Sequence, residues 1–272
     1  MTTSAIIPAI GFGTFRLQGQ TVIDAVHSAL ALGYRHIDTA KLYDNEEAVG
    51  EAIRSSGVPR DEIFLTTKIW HDSLRHDQLL ASLAASNQRL GVEQVDLALI
   101  HWPSPGGEVP VAETIGALAE ARERGLTRYM GISNYTIAQV DEALAVPGGE
   151  HIITNQVEVQ PYLANRKLVA HCQARGLEVT GFMSLAVGKV MKDPVINAIA
   201  QVHNANPAQI ALAWSLAQGV GVIPSSTNPA HQKSNLAALN IRLSAEDIAR
   251  IDALDCGERI ASPGFAPEWD ND

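Results

Sequence analysis

Short apolar runs rich in β-branched residues alternate along this chain with segments whose apolar positions recur every three and four residues. The runs fall at residues 9–13, 34–38, 63–69, 95–101, 127–132, 152–157, 178–183 and 220–224. Their near-continuous apolar character is that of parallel strands covered on both faces. The segments between them predict helices. Residues 21–32 gather Val22, Val26, Ala29 and Leu30 on one face and stop at Gly33, a residue suited to the left-handed cap. Residues 45–55, 77–90, 111–124, 137–144 and 166–175 follow the same pattern. The last interval holds two helices, 194–203 and 207–218, each with a proline in its first turn, and Ser244 opens a final helix to about residue 254. Strand–helix units repeated in this way, with no linker or composition break, predict a single-domain α/β fold, the (β/α)8 TIM barrel, over residues 1–272. An open doubly wound sheet usually has fewer strands.

In such a barrel, reactive side chains collect at the C-terminal ends of the strands. Asp38, Lys68 and His101 end the second, third and fourth runs, and Tyr43 follows the second in Tyr43-Asp44-Asn45-Glu46. Ser133 and Asn134 follow the fifth, Gln156 ends the sixth, Phe182 ends the seventh, and Ser225, Ser226 and Thr227 follow the eighth. Taken singly, each has a structural reading: Asp38 as a turn cap, Lys68 in a barrel ion pair, His101 as a core histidine, Tyr43 packed in a loop. Together on consecutive strand ends they suit proton transfer to a carbonyl oxygen. A tyrosine titrates near 10 and is a weak donor at neutral pH. An ammonium within about 4–6 Å lowers that value. Lys68 can supply the cation, Asp38 can hold it, and His101 can fix the substrate oxygen beside the phenol.

Charge and composition narrow the classes further. A net charge of −10 over 272 residues argues against nucleic acid or an anionic membrane as partner. No run approaches the roughly 20 apolar residues of a membrane span, and no secretory signal is visible at the start, so a cytoplasmic protein is expected. Asn134-Tyr135-Thr136 matches a glycosylation acceptor that such a protein would never expose to the machinery. The only cysteines, Cys172 and Cys256, are far apart and read as unpaired thiols of a reducing compartment. The nine histidines are scattered and no paired-cysteine or H-E-x-x-H site occurs, so no metal centre is expected. Gly11-Phe12-Gly13 with Asp38 on the next strand imitates a dinucleotide fingerprint, but Arg16 stands where the third glycine belongs.

The motifs Gly11-Phe12-Gly13-Thr14-Phe15, Asp38-Thr39-Ala40, Thr67-Lys68-Ile69-Trp70, His101-Trp102-Pro103, Gly131-Ile132-Ser133-Asn134-Tyr135, Asn155-Gln156-Val157-Glu158 and Val222-Ile223-Pro224-Ser225-Ser226 span nearly the whole chain. Together they closely resemble the aldo-keto reductase family, and the ending Ala266-Pro267-Glu268-Trp269-Asp270 with Ile223-Pro224-Ser225-Ser226-Thr227 resembles its branch of bacterial 2,5-diketo-D-gluconate reductases of the short B type. The resemblance implies NADPH-dependent reduction of a small polar aldehyde or ketone, a diketogluconate or a 2-oxoaldehyde such as methylglyoxal. It implies Tyr43 as general acid with its pKa lowered by Lys68, Lys68 paired with Asp38, and His101 orienting the carbonyl. Ser133, Asn134 and Gln156 would hold the nicotinamide amide, Phe182 would stack on the ring, and Trp70 and Trp102 would wall the substrate. Gly13, Thr14, Asp38, Ser184, Leu185, Ser225, Ser226, Thr227, His231 and Asn235 complete the implied cofactor set. One departure stands out: Ser225 and His231 occupy positions where the family usually carries lysine and arginine against the 2′-phosphate. Two permanent cations are gone, which brings NADH into view beside NADPH. The short tail after Leu254 implies a low wall around the pocket, and family precedent a monomer. A cofactor-binding regulatory protein on the same barrel is the alternative from another class; a barrel lyase or isomerase is a third, marked by product without cofactor consumption.

Overall fold

The computed structural model describes residues 5–270. Eight parallel strands follow one another in chain order: β1 (Phe12–Gly13), β2 (His36–Asp38), β3 (Phe64–Ile69), β4 (Val95–Ile100), β5 (Thr127–Ser133), β6 (Ile152–Glu158), β7 (Glu178–Phe182) and β8 (Val220–Val222). The sheet closes on itself. Gly11 N donates to Val222 O at 2.8 Å, Val222 N to Ala9 O at 2.9 Å and Gly13 N to Pro224 O at 3.2 Å, which removes both free edges. Glycine is required at that seam: a Cβ on Gly13 would lie 2.7 Å from the Ile223 carbonyl oxygen, and one on Gly11 2.5 Å from the His36 ring. The expected (β/α)8 barrel is therefore present, although the first and last strands are shorter than the apolar runs that announced them.

Ten helices surround the barrel among the described residues. They are α1 (Gly19–Leu32), α2 (Glu46–Ser55), α3 (His76–Leu90), α4 (Val111–Glu123), α5 (Ile137–Ala145), α6 (Arg166–Ala174), α7 (Pro194–Val202), α8 (Pro207–Ala217), α9 (Pro229–Leu236) and α10 (Ala245–Asp252). Local chemistry sets their ends. Gly33 takes φ 104° and returns its N–H to Ala29 and Leu30. Capping boxes open α5 at Thr136 and Gln139, α8 at Asn206 and Gln209, and α10 at Ser244 and Asp247. Helix α9 was not foreseen, because Pro229-Ala230-His231-Gln232-Lys233-Ser234-Asn235-Leu236 has no apolar stripe. It buries Gln232 and Asn235 instead, and is held by polar bonds: Gln232 Nε2 donates to Ala25 O at 3.0 Å and Ser226 O at 2.8 Å.

The floor of the barrel is filled. Ile7, Leu97 and Leu99 pack together there, and the N–H groups of Ile6 and Ile7 donate to the Glu178 carboxylate at 2.6 and 3.1 Å. His36 is buried inside the barrel with Nε2 3.0 Å from Thr66 Oγ1, and burial lowers its pKa to about 4. The large apolar core lies between strands and helices. What remains open is the other mouth, where the strands end. No helix among the described residues is long and apolar enough to cross a membrane.

Candidate active site

A cavity of about 630 Å³ occupies that mouth, within the size range of small-molecule sites. Asp38, at the last position of β2, and Lys68, one residue before the end of β3, are both 1% exposed and form an ion pair. Lys68 Nζ also donates to Thr39 O at 2.9 Å and lies 3.3 Å from the Tyr43 hydroxyl. Tyr43 reaches this point from a single 3-10 turn, Lys41–Tyr43, directly after β2. His101 follows β4, its ring 5.8 Å from the Tyr43 ring at 77°. The acid, amine, phenol and imidazole of four chain segments thus meet in one corner. Asp38, Lys68 and His101 arrive there from the strand ends, and Tyr43 from the turn that follows β2.

Electrostatics in this corner add a contribution that the sequence reading left out. Burial holds the Tyr43 phenol above its usual value near 10, and the Lys68 ammonium offsets that only in part, with Asp38 opposing it. The cation therefore does not bring the phenol below its ordinary value. Burial also opposes charge on Lys68, but Asp38 and Tyr43 outweigh it and the ammonium is retained. For His101, burial first and then Lys68 and His71 push the pKa well below 6.5, so the imidazole is neutral, with Nδ1 buried and unpartnered.

A second group of polar residues lines the β5–β6 side. Asn134, at φ 64°, donates through Nδ2 to His101 O at 2.9 Å and to Ser133 Oγ at 3.2 Å. Ser133 Oγ donates to Gln156 O at 2.8 Å, and Gln156 Nε2 donates to Asp38 Oδ2 at 2.8 Å. These bonds commit donors, leaving amide oxygens of Asn134 and Gln156 as acceptors on a cavity wall. Gly13, Trp70, Trp102, Phe182, Ser184, Leu185 and Ser225 also line the cavity. Thr14 is buried behind it, bonding Asp38 O. Ser226, Thr227, His231 and Asn235 do not reach its wall; Thr227 and His231 are exposed, and Asn235 is buried in α9.

Sequence reasoning missed several lining residues. Arg16 stands at the rim with φ 67°, its guanidinium 5.0 Å from the Phe15 ring centroid. Its place just past β1 was a usable signal, since every other strand end had been read that way. Ala261, Pro263 and Phe265 had no such signal. They come from the tail after α10, which crosses the mouth, so the expected low wall is absent there. Phe265 packs edge-on against Trp70 (5.7 Å) and Trp102 (5.5 Å). Among the described residues no group of three or more His, Cys, Asp or Glu side chains could hold a metal.

The aldo/keto reductase family profile matches residues 9–255. The chain belongs to that family. It is 56% identical over 265 residues to the methylglyoxal reductase DkgB of Escherichia coli O157:H7, covering 97% of this chain and 99% of that protein. The Salmonella typhi protein of the same name is 54% identical over the same shares. A solved structure provisionally named 2,5-diketo-D-gluconic acid reductase B superposes with TM-score 0.92 at 43% identity, covering 97% of this chain and 94% of that one. This aldo-keto reductase is thus an oxidoreductase of a family that generally uses NAD(P)H.

Proposed function

We propose that this aldo-keto reductase reduces small polar aldehydes and ketones, of the methylglyoxal or diketogluconate kind, with Tyr43 as the proton donor. The observation that carries the reading is the Tyr43 hydroxyl 3.3 Å from Lys68 Nζ, with Asp38 behind the ammonium and neutral His101 alongside, in a cavity walled by Trp70 and Trp102. A reduced nicotinamide, when bound, supplies the hydride that adds to the carbonyl carbon. Tyr43 gives its proton to the carbonyl oxygen, and Lys68 stabilises the phenolate left behind. Asp38 keeps Lys68 charged and aimed. His101 is neutral, so one ring nitrogen can carry a hydrogen for the substrate oxygen without competing as the acid. Acid catalysis of this kind is worth about 10²–10⁴ in rate.

The residues present suit a nicotinamide. The acceptor oxygens of Asn134 and Gln156 match an amide NH2, Ser133 sits between them, and Phe182 offers a flat apolar face. Arg16 brings a cation to the rim and Ser184, Leu185 and Ser225 continue the wall. For the adenosine end, NADPH is the first choice by family, with NADH accepted more readily than usual because Ser225 and His231 replace cations. Charge-assisted bonds are roughly twice as strong as neutral ones. Part of the neighbouring donor capacity is already committed: Asn228 N donates to Ser226 Oγ at 3.1 Å and Ala230 N to Asn228 Oδ1 at 2.9 Å. One chain carries the whole constellation, so a monomer suffices, and Cys172 and Cys256 remain free thiols suited to the cytoplasm.

The test is consumption of NADPH and of NADH with methylglyoxal and with a diketogluconate. Turnover with at least one pairing is expected. Binding of cofactor with no turnover on any small carbonyl would favour the regulatory reading.

A further inference from the structure

Beyond α10 the described residues form no helix or strand, and their main-chain N–H groups need acceptors. The barrel supplies one. Glu158, the last residue of β6, is fully buried and is not on the cavity wall. Its carboxylate accepts the Ile260 N–H at 3.0 and 3.1 Å and the Ala261 N–H at 2.7 Å. Gln160 Nε2 adds a contact at 3.4 Å and bonds Glu258 O at 2.9 Å. Cys256 and Glu258 donate their N–H groups to Tyr162 O at 3.2 and 3.0 Å. Arg259 donates to Asn165 Oδ1 at 2.9 Å, and Asn165 in turn donates to Glu158 O at 2.6 Å.

The far end is tied as well. The Ile137 N–H of α5 donates to Asp270 Oδ2 at 2.9 Å, and Trp269 lies between the Arg259 guanidinium (3.8 Å) and the Trp102 ring (5.9 Å). Between these ties the tail presents Ala261, Pro263 and Phe265 to the cavity, and Phe265 meets His71 (4.4 Å) as well as the two tryptophans. Position 261 is at once a ligand of the Glu158 clip and part of the wall. A shift there moves the part of the wall that carries Phe265.

We propose that Glu158 is a positioning residue that sets the size of carbonyl substrate the cavity accepts, by clamping the start of the tail so that Phe265 closes the aromatic wall. This rests on the carbonyl-reductase reading above. Glu158→Gln puts an NH2 donor where two N–H groups now converge on a carboxylate, and charge-assisted bonds of that kind translate to roughly tenfold or more each.

The test joins hydrogen exchange with a substrate series of small and bulky aldehydes. In Glu158→Gln the peptide spanning residues 259–265 should exchange about tenfold faster, with β2–β4 peptides unchanged. The value of kcat/KM for methylglyoxal should fall about tenfold, mainly through KM, while that for a bulky aromatic aldehyde holds or rises. Arg259→Ala loosens the same tail from its own side and should shift the ratio in the same direction by a smaller factor; it decides the matter if Glu158→Gln does not fold. A tail that exchanges as in wild type, or a ratio that stays within about twofold in the folded variants, overturns the proposal. The exchange arm needs no turnover. Failure of the wild type on methylglyoxal would sink that substrate assignment, and the ratio would then be read on two other aldehydes of unequal size.

Discussion

The two sides of the barrel mouth are built differently. On the β2–β4 side, Asp38, Lys68 and His101 sit on or against strands, are buried, and are fixed by short-range strand register: Asp38 pairs with Thr66, and Lys68 with Leu99. On the β8 and tail side, residues 225–228 form a largely exposed loop, and 255–270 lie outside helices and strands, held by hydrogen bonds such as those to Glu158 and α5 and by ring packing of Phe265 and Trp269. The first side suits chemistry that tolerates little displacement. The second suits selectivity, where a loop can vary without moving the proton donor.

The largest expected effect falls on the rigid side. Lys68→Met removes the ammonium that offsets burial of Tyr43, and the turnover of any small aldehyde should drop by about 10²–10⁴. It also strands the buried Asp38 carboxylate, at a stability cost of about 3–5 kcal/mol, so thermal unfolding should be followed with activity. Activity within a few fold of wild type would erase the distinction between the two sides. A smaller effect is expected from Ser225→Lys. A cation restored to the exposed loop should raise preference for NADPH over NADH by about tenfold, a gain of one charge-assisted bond, with kcat nearly unchanged. Loss of kcat would mean that the loop is coupled to the chemical step.

The remaining prediction concerns stability rather than turnover, at the filled floor. Burial depresses folded His36 to about 4, whereas an unfolded imidazole titrates near 6.5. Between those values the unfolded chain binds the extra proton. Stability from neutral His36 is thus complete above about pH 6.5 and is lost as pH falls toward 4, by about 3 kcal/mol at most. Urea midpoints measured across that range should fall with acidity, and less steeply in His36→Gln. Equal slopes would place the acid sensitivity elsewhere.

The same division explains what could be read from sequence. Strands announce themselves by apolar runs, and the polar residue that ends each run is adjacent in sequence, so Asp38, Lys68, His101, Asn134 and Gln156 were legible. Helix α9 was not, because Gln232 and Asn235 replace an apolar stripe and it is held by side-chain bonds to main-chain oxygens, of the nearby Ser226 and of Ala25 far away in sequence. Phe265 was invisible for a similar reason: its position depends on Glu158, a hundred residues upstream, and on Asp270 meeting α5. For Tyr43 the spacing revealed the neighbouring cation and its lowering influence, but not burial, the larger and opposite influence, which is a property of the closed barrel.

Tyr43→Phe tests the account most directly. It removes one oxygen and keeps the ring that packs against Phe15 (5.1 Å) and His101. Turnover should fall by at least about 10² while reduced cofactor still binds, as followed by fluorescence titration of the same preparation. A variant that retains most of its turnover would contradict the assignment of Tyr43 as proton donor.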